Sequence, residues 1–216
     1  MSRMLASPPA LFFAAAMLVA AAPAVSAAEA AKSTECTKIG VCYCVAGELK
    51  SAIDDKVARF RTVIADQRKA GRAVGYLSVP LSPAGGGYFN LNAEVAEKAK
   101  AAIEKRLGAD FVWVLNPGTA DANLPKGASG ADYMLMWTSL LEGREGLGED
   151  FDFVYFAGPQ DFARIFELDG SNDMAKIDAY FDKRLKSDPD FEKSVKGGLT
   201  KAAFVGGAGL APGRVP

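Results

Sequence analysis

The chain contains no histidine. That excludes Ser-His-Asp and Cys-His nucleophilic catalysis, histidine-ligated metal hydrolysis and phosphoryl transfer through histidine. Acid–base chemistry would fall to carboxylates, Lys, Tyr or Cys. Runs of basic residues are also missing, and the formal net charge is −1. Nucleic-acid binding therefore lacks its electrostatic footprint. No apolar run reaches the ~20 residues that a membrane-spanning helix needs. The G-x-G-x-x-G spacing of a dinucleotide site and the Gly-Lys-Ser/Thr of a P-loop are absent. The residue pattern implies no metal site and no cofactor.

Cysteine is scarce, with only Cys36, Cys42 and Cys44. Ahead of them lies a short leader pattern. Arg3 is the one charge near the start, and Ala10 to Ala22 is almost wholly apolar. Pro23 then breaks the run, and small residues follow through Ala28. This pattern predicts a secretory signal peptide over residues 1–28. The expected location is periplasmic or extracellular, with no membrane span once the leader is removed. Its removal takes away Arg3 alone and leaves 24 basic against 26 acidic residues, a net charge of −2. An exported chain meets oxidising conditions, so Cys36 is expected to pair with Cys42 or with Cys44. The odd thiol is left for a partner, a ligand or nothing.

Half of the residues are hydrophobic, enough for one domain with a sizeable core. The pattern divides the chain into a Cys-containing segment at 29–46, a single α/β domain at 47–190 and a tail at 191–216 that is expected to be disordered. Leu49, Ile53, Val57, Phe60 and Ile64 recur at helical steps and predict a helix over 47–69. Residues 73–79 read as the first strand, Asn92–Leu107 as a helix and Phe111–Leu115 as a buried strand. Ala131–Leu141 reads as a helix apolar all round and deeply buried. Phe151–Ala157 is a third strand, followed by a short helix to Leu168. The last helix, 172–186, should turn Met174, Ile177, Phe181 and Leu185 inward. Strands alternating with helices predict a small three-layer α/β sandwich of the Rossmann/flavodoxin-like kind, its sheet mostly parallel and helices on both faces.

The expected site lies where the strands end. Pro80 to Tyr88, Asn116 to Gly118 and Gly158 to Asp161 all break into Pro/Gly loops. In a parallel sheet those loops share one edge, where ligands bind. Gly85, Gly86 and Gly87 let the backbone approach a ligand closely. A small polar or anionic ligand is expected there. Tyr76 and Tyr88 could frame it, and Ser78, Ser82, Asn90, Asn92, Asn116, Gln160 and Asp161 could hydrogen-bond it. Glu94, after the glycine loop, is the candidate nucleophile or general base. Each acid also has a structural reading. Ser129 to Asp132 reads as a capping box, and Asp161 follows Pro159 at a helix start. Tyr76 equally suits the core.

The run Tyr76-Leu77-Ser78-Val79-Pro80, a glycine loop and a helix carrying Asn92 and Glu94 resembles the opening of nucleoside 2-deoxyribosyltransferase-like proteins. The resemblance implies a flavodoxin-like sheet. That family's later acidic Asp-Ser-Gly-Thr-type segment is absent here, so no residue role is carried over. The readings that stand are a small-ligand-binding protein, a carboxylate-dependent hydrolase or transferase on a nucleoside, sugar or phosphate-type substrate, and an envelope interaction protein. A protein partner would be met through the C-terminal region or the odd cysteine.

Overall fold

A computed structural model describes residues 31–79, 81 and 89–198. The fold is mixed α/β. An antiparallel hairpin comes first, β1 Lys32–Cys36 and β2 Cys42–Ala46. Then follow α1 Lys50–Lys69, β3 Ala73–Ser78, α2 Phe89–Leu107, β4 Val112–Leu115 and α3 Gly130–Leu141. The described chain closes with β5 Phe153–Phe156, α4 Pro159–Ile165, α5 Asp173–Ser187 and α6 Pro189–Lys196. β3, β4 and β5 form a parallel sheet in the order β4-β3-β5, so all three strands end on one edge.

Alternation along β3 sorts the core into two faces. Val74 and Tyr76 pack with α1 and α3, through Ile53, Phe60, Leu135 and Met136. Leu77 packs on the other side with Ala96 and Ala99 of α2. Further along α2, Leu91 and Val95 join Phe162, Ile177, Phe181 and Phe191 in a cluster that gathers α4, α5 and α6. Each fully buried side chain of this size contributes about 1.5–3 kcal/mol of transfer free energy. Of the five apolar positions named from the sequence, Ile53, Val57, Phe60 and Ile64 lie on α1 and Leu49 in the 3-10 turn Gly47–Leu49 before it, and all are buried. The helix stops where Gly71 takes φ +78°, and the amides of Ala70, Gly71 and Arg72 close onto its last carbonyls.

Several expectations change. The Cys-containing segment is a hairpin whose Val45 lies wholly in the core beside α3. The expected disulfide is present, as the first of its two possible pairings: it joins Cys36 to Cys42, directly opposite each other across the hairpin, and Cys44 is free and exposed. α2 begins at Phe89, earlier than Asn92. The segment that composition assigns to the tail starts instead with the last six of the eight residues of α6. Asp188 caps that helix by accepting the Asp190 and Phe191 amides, Pro189 opens it, and Phe191 is fully buried. Residues 199–216 lie outside the described residues. Met134 is 51% exposed and Met174 59% exposed, so α3 is not buried all round and α5 does not turn its first turn inward. Met134 stands on the face of α3 away from Leu135 and Met136, and Met174 precedes the first buried position of α5, Ile177. Among the described residues no helix is long and apolar enough to cross a membrane.

Gly75 sits opposite Phe153 in the β3–β5 register, and the Phe153 ring fills the space a side chain would take. A Cβ on Gly75 would lie 2.3 Å from Cζ of that ring. Gly75→Ala should therefore cost about 1–3 kcal/mol in urea denaturation. Its penalty should shrink in the Phe153→Leu background, because the two sites share one clash. Opening the Cys36–Cys42 bridge, which spans a sequence separation of 6, should cost about 2 kcal/mol. The Cys36→Ser/Cys42→Ser double variant against wild type, each with and without reductant, measures it.

Candidate functional site

The edge where β3 and β4 end is drawn together at Gly118. A Cβ built there would lie 3.2 Å from Oδ1 of Asn116, 3.3 Å from Cα of Ala93 and 3.4 Å from Cδ2 of Leu81. Three separate segments thus meet at one residue: the chain after β3, the first turns of α2 and the loop after β4. Asn116 organises the meeting point. Its Oδ1 accepts the Gly118 amide at 2.8 Å, and its Nδ2 donates to Oε2 of Glu97 at 3.1 Å. Asn116 is buried, and so is Asn92 on the first turn of α2. Ser78 lies half-buried at the end of β3, where its carbonyl accepts the Ala157 amide at 2.8 Å. Asn90 is half-buried on α2, and Gln160 is exposed on α4. Ser82, Gly85, Gly86, Gly87 and Tyr88 lie outside the described residues.

Tyr76 packs as a core residue. Its ring lies 5.9 Å from that of Trp137 and 5.6 Å from that of Phe151, centroid to centroid. Burial pushes its hydroxyl up to about 12, which keeps the phenol neutral at physiological pH.

Glu94 faces α5. Its carboxylate accepts from Nη1 of Arg184 at 2.6 Å and from the Tyr180 hydroxyl at 3.1 Å, and Lys98 stands 3.1 Å away. Arg184 also donates to Asp188 at 3.2 Å. Burial alone would push the Glu94 carboxyl up; the bonds from Arg184, Lys98 and Tyr180 and the charge of Lys98 outweigh it and hold it below its ordinary value. Tyr180 is raised to about 12, chiefly by burial. The group borders a cavity of about 400 Å³ shared with Tyr180, Lys183, Arg184 and Ser187. A carboxylate held ionised between two cations is a poor proton acceptor near neutrality. It joins α2 to α5 across 90 residues of sequence.

The other two acids are likewise engaged. Asp132 is 1% exposed and accepts the Ser129 amide at 2.7 Å, the Ser129 hydroxyl at 2.6 Å and the Ala46 amide at 3.0 Å. The expected capping box is present, and it also ties the hairpin to α3. Burial raises this carboxyl, but the Ser129 and Ala46 hydrogen bonds win and lower it. Asp161 accepts the Gly158 amide at 2.9 Å and the Tyr155 hydroxyl at 3.1 Å, with Arg164 at 3.2 Å. Sequence reasoning missed Arg184, Tyr180 and Glu97 as partners. Arg184 and Glu97 read locally as ordinary solvated helix charges, and only tertiary packing brings them to Glu94 and Asn116. Among the described residues no group of three Cys, Asp or Glu is placed to hold a metal.

No family model, no curated protein and no solved structure matches this chain.

Glu94 has a pKa lowered by folding, so its contribution is complete above the unfolded carboxylate value and fades as pH falls through the folded value. Glu94→Gln should cost about 1 kcal/mol at neutral pH, the yield of a charged hydrogen bond discounted for partial exposure. The gap between variant and wild type should close as pH falls through and below the ordinary carboxylate range. Urea melts of both proteins across that range measure it; a gap that widens on acidification would contradict the assignment.

Proposed function

We propose that this chain is an exported, doubly wound α/β protein of the Rossmann/flavodoxin-like kind that binds a small polar or anionic ligand at the carboxyl edge of its parallel sheet. The observation that carries this reading is the convergence at Gly118. Leu81, Ala93 and Asn116 come from three segments and each approaches within 3.4 Å of the place a Gly118 Cβ would occupy. In parallel α/β sheets the crevice outside the strand ends is the usual ligand site. Two buried asparagines stand at that edge, and Asn116 already holds the loop backbone in place. Helices pack on both faces of the three strands, which supports the layered reading. Export is supported by the apolar leader and by a disulfide closed within the N-terminal hairpin, a bond that persists in oxidising compartments.

A second reading is a carboxylate-dependent hydrolase or transferase on a nucleoside, sugar or phosphate-type substrate. One observation favours it: Glu94 borders the cavity between α2 and α5. Its pairing with Arg184 and Lys98 counts against it.

Thermal shifts separate the two. The protein is melted with inorganic phosphate, sugar phosphates, nucleoside monophosphates and uncharged sugars. One class should stabilise it by about 2.7 kcal/mol at a hundredfold excess over Kd. Asn116→Ala and Gly118→Leu should abolish the shift, and Glu94→Gln should retain it. A shift lost only in Glu94→Gln would transfer the site to the second reading. No shift with any class would overturn the ligand reading.

A further inference from the structure

The two edges of the parallel sheet are treated differently. β4 lies at one edge, and its Val114 amide and carbonyl point away from β3, because pairing alternates along a strand. Both groups are capped from α2. Oε1 of Glu104 accepts the Val114 amide at 3.0 Å, and Nζ of Lys100 donates to the Val114 carbonyl at 2.9 Å. The Lys100–Glu104 pair therefore closes this edge against another strand.

β5 lies at the opposite edge, and among the described residues nothing comparable covers it. The Ala157 amide bonds to the Ser78 carbonyl at 2.8 Å, and alternation back along the strand turns the backbone groups of Tyr155 and Phe153 toward β3. Those of Val154 and Phe156 point outward. Among the described residues no hydrogen bond reaches them. The strand is Phe-Val-Tyr-Phe, free of charge and of proline. Natural edge strands are usually blunted by one or the other. Its side chains add an apolar surface: Val154 is 45% exposed and Phe156 74%. They border an apolar groove of about 470 Å³ with Tyr76, Leu141 and Phe151.

We infer that the β5 edge is a strand-docking surface whose occupant is the β5 strand of a second copy of this chain, joined antiparallel about a two-fold axis into a six-stranded sheet. One antiparallel register lets the outward Val154 amide and carbonyl of each copy bond those of the other across the axis. It sets Phe153 against the partner's Tyr155, and Val154 against the partner's Val154. Aromatic pairs directly across a ladder are favourable, and no like charges are opposed in this register. Charge also selects the direction. Glu149, Asp150 and Asp152 crowd the entry to β5 and outnumber their partners Arg61 and Arg68 there, and Arg164, paired with the buried Asp161 but with its own side chain 62% exposed, follows its exit. Antiparallel pairing sets one copy's acidic end beside the other's arginine, whereas parallel addition stacks like ends. Four residues per strand with a small apolar flank give a modest interface, so the dimer should dissociate in the range of about 1–100 μM.

Sedimentation velocity of the full chain across a concentration series tests the inference. Wild type should shift from monomer to dimer. Val154→Lys and Val154→Glu, each at an exposed position, should be monomers with unchanged far-UV circular dichroism. Mixed one to one they should form a heterodimer, because opposite charges now meet at the axis. Phe111→Lys, 70% exposed beside the capped β4 edge, should dimerise as wild type does. A wild type that stays monomeric to about 1 mM would overturn the inference, as would a dimer indifferent to Val154→Lys. Dimerisation that appears only after deletion of 199–216 would overturn it too, since the edge would then belong to this chain's own C-terminal segment.

Discussion

The close approach of the Phe153 ring to the bare backbone of Gly75 is the contact on which the fold is organised. Among the described residues, β3 is the only strand of the parallel sheet with neighbours on both sides. One of its residues must have no side chain if β5 is to lie flat against it with an aromatic ring turned to the α2 face. Glycine in a strand interior usually weakens the strand. Here the lost side chain is replaced by a ring from the neighbouring strand, so the apolar layer remains closed. With β5 seated, Val74 and Tyr76 are left free to carry α1 and α3, and Leu77 to carry α2. The common edge where the strands end follows from the same parallel pairing.

Carboxylates hold the remaining joints, and they do so as backbone acceptors. Asp132 takes the Ala46 amide and fastens the hairpin to α3. Glu142 takes the Lys38 and Ile39 amides, both at 3.1 Å, and fastens the hairpin turn to the end of α3. Asp152 takes the Val74 amide at 2.7 Å, where β5 enters the sheet. Glu104 takes that of Val114. A charged acceptor makes a shorter and stronger bond than a neutral one, and each of these acids sits at a boundary between two elements. The cost falls on chemistry. A chain with no histidine depends on carboxylates for proton transfer, and here many of the half-buried ones are already committed to structure.

Periodicity made the helices and the parallel strands legible, because the residues that carry it do nothing else. Ile53, Val57, Phe60 and Ile64 are spaced as a buried stripe and are buried. The hairpin was not legible. Its strands are five residues each, polar on one face, and only Val45 reaches the core. That signal is too short to distinguish from a loop. α6 was hidden for a related reason: eight residues with one buried aromatic, next to a Gly/Ala-rich stretch, lower the apparent order of the whole segment. The candidate site was legible only in outline. Parallel strands place the loops together, so Asn116 could be named. Glu94 could be named too, but not its partner, since Arg184 lies 90 residues away and its spacing carries no trace of the contact.

Lys100 and Glu104 show the same limit from the other side. Four residues apart on a helix, they read as a solvent-facing ion pair of small energetic consequence. In the fold each is about four-fifths buried, at 20% and 18% exposure, and the pair spans to the backbone of β4. A surface pair has become an edge cap. The helix that could supply such a cap on the opposite edge would have to follow β5 and lie along it. α4 instead has seven residues and turns toward α2, where Phe162 and Ile165 are buried with Leu91 and Val95. The connection that would shield β5 is thus spent on the core of the α4–α6 cluster. The open edge follows from that competition, since burying two large apolar side chains outweighs the few outward hydrogen bonds that a short strand could gain from a cap.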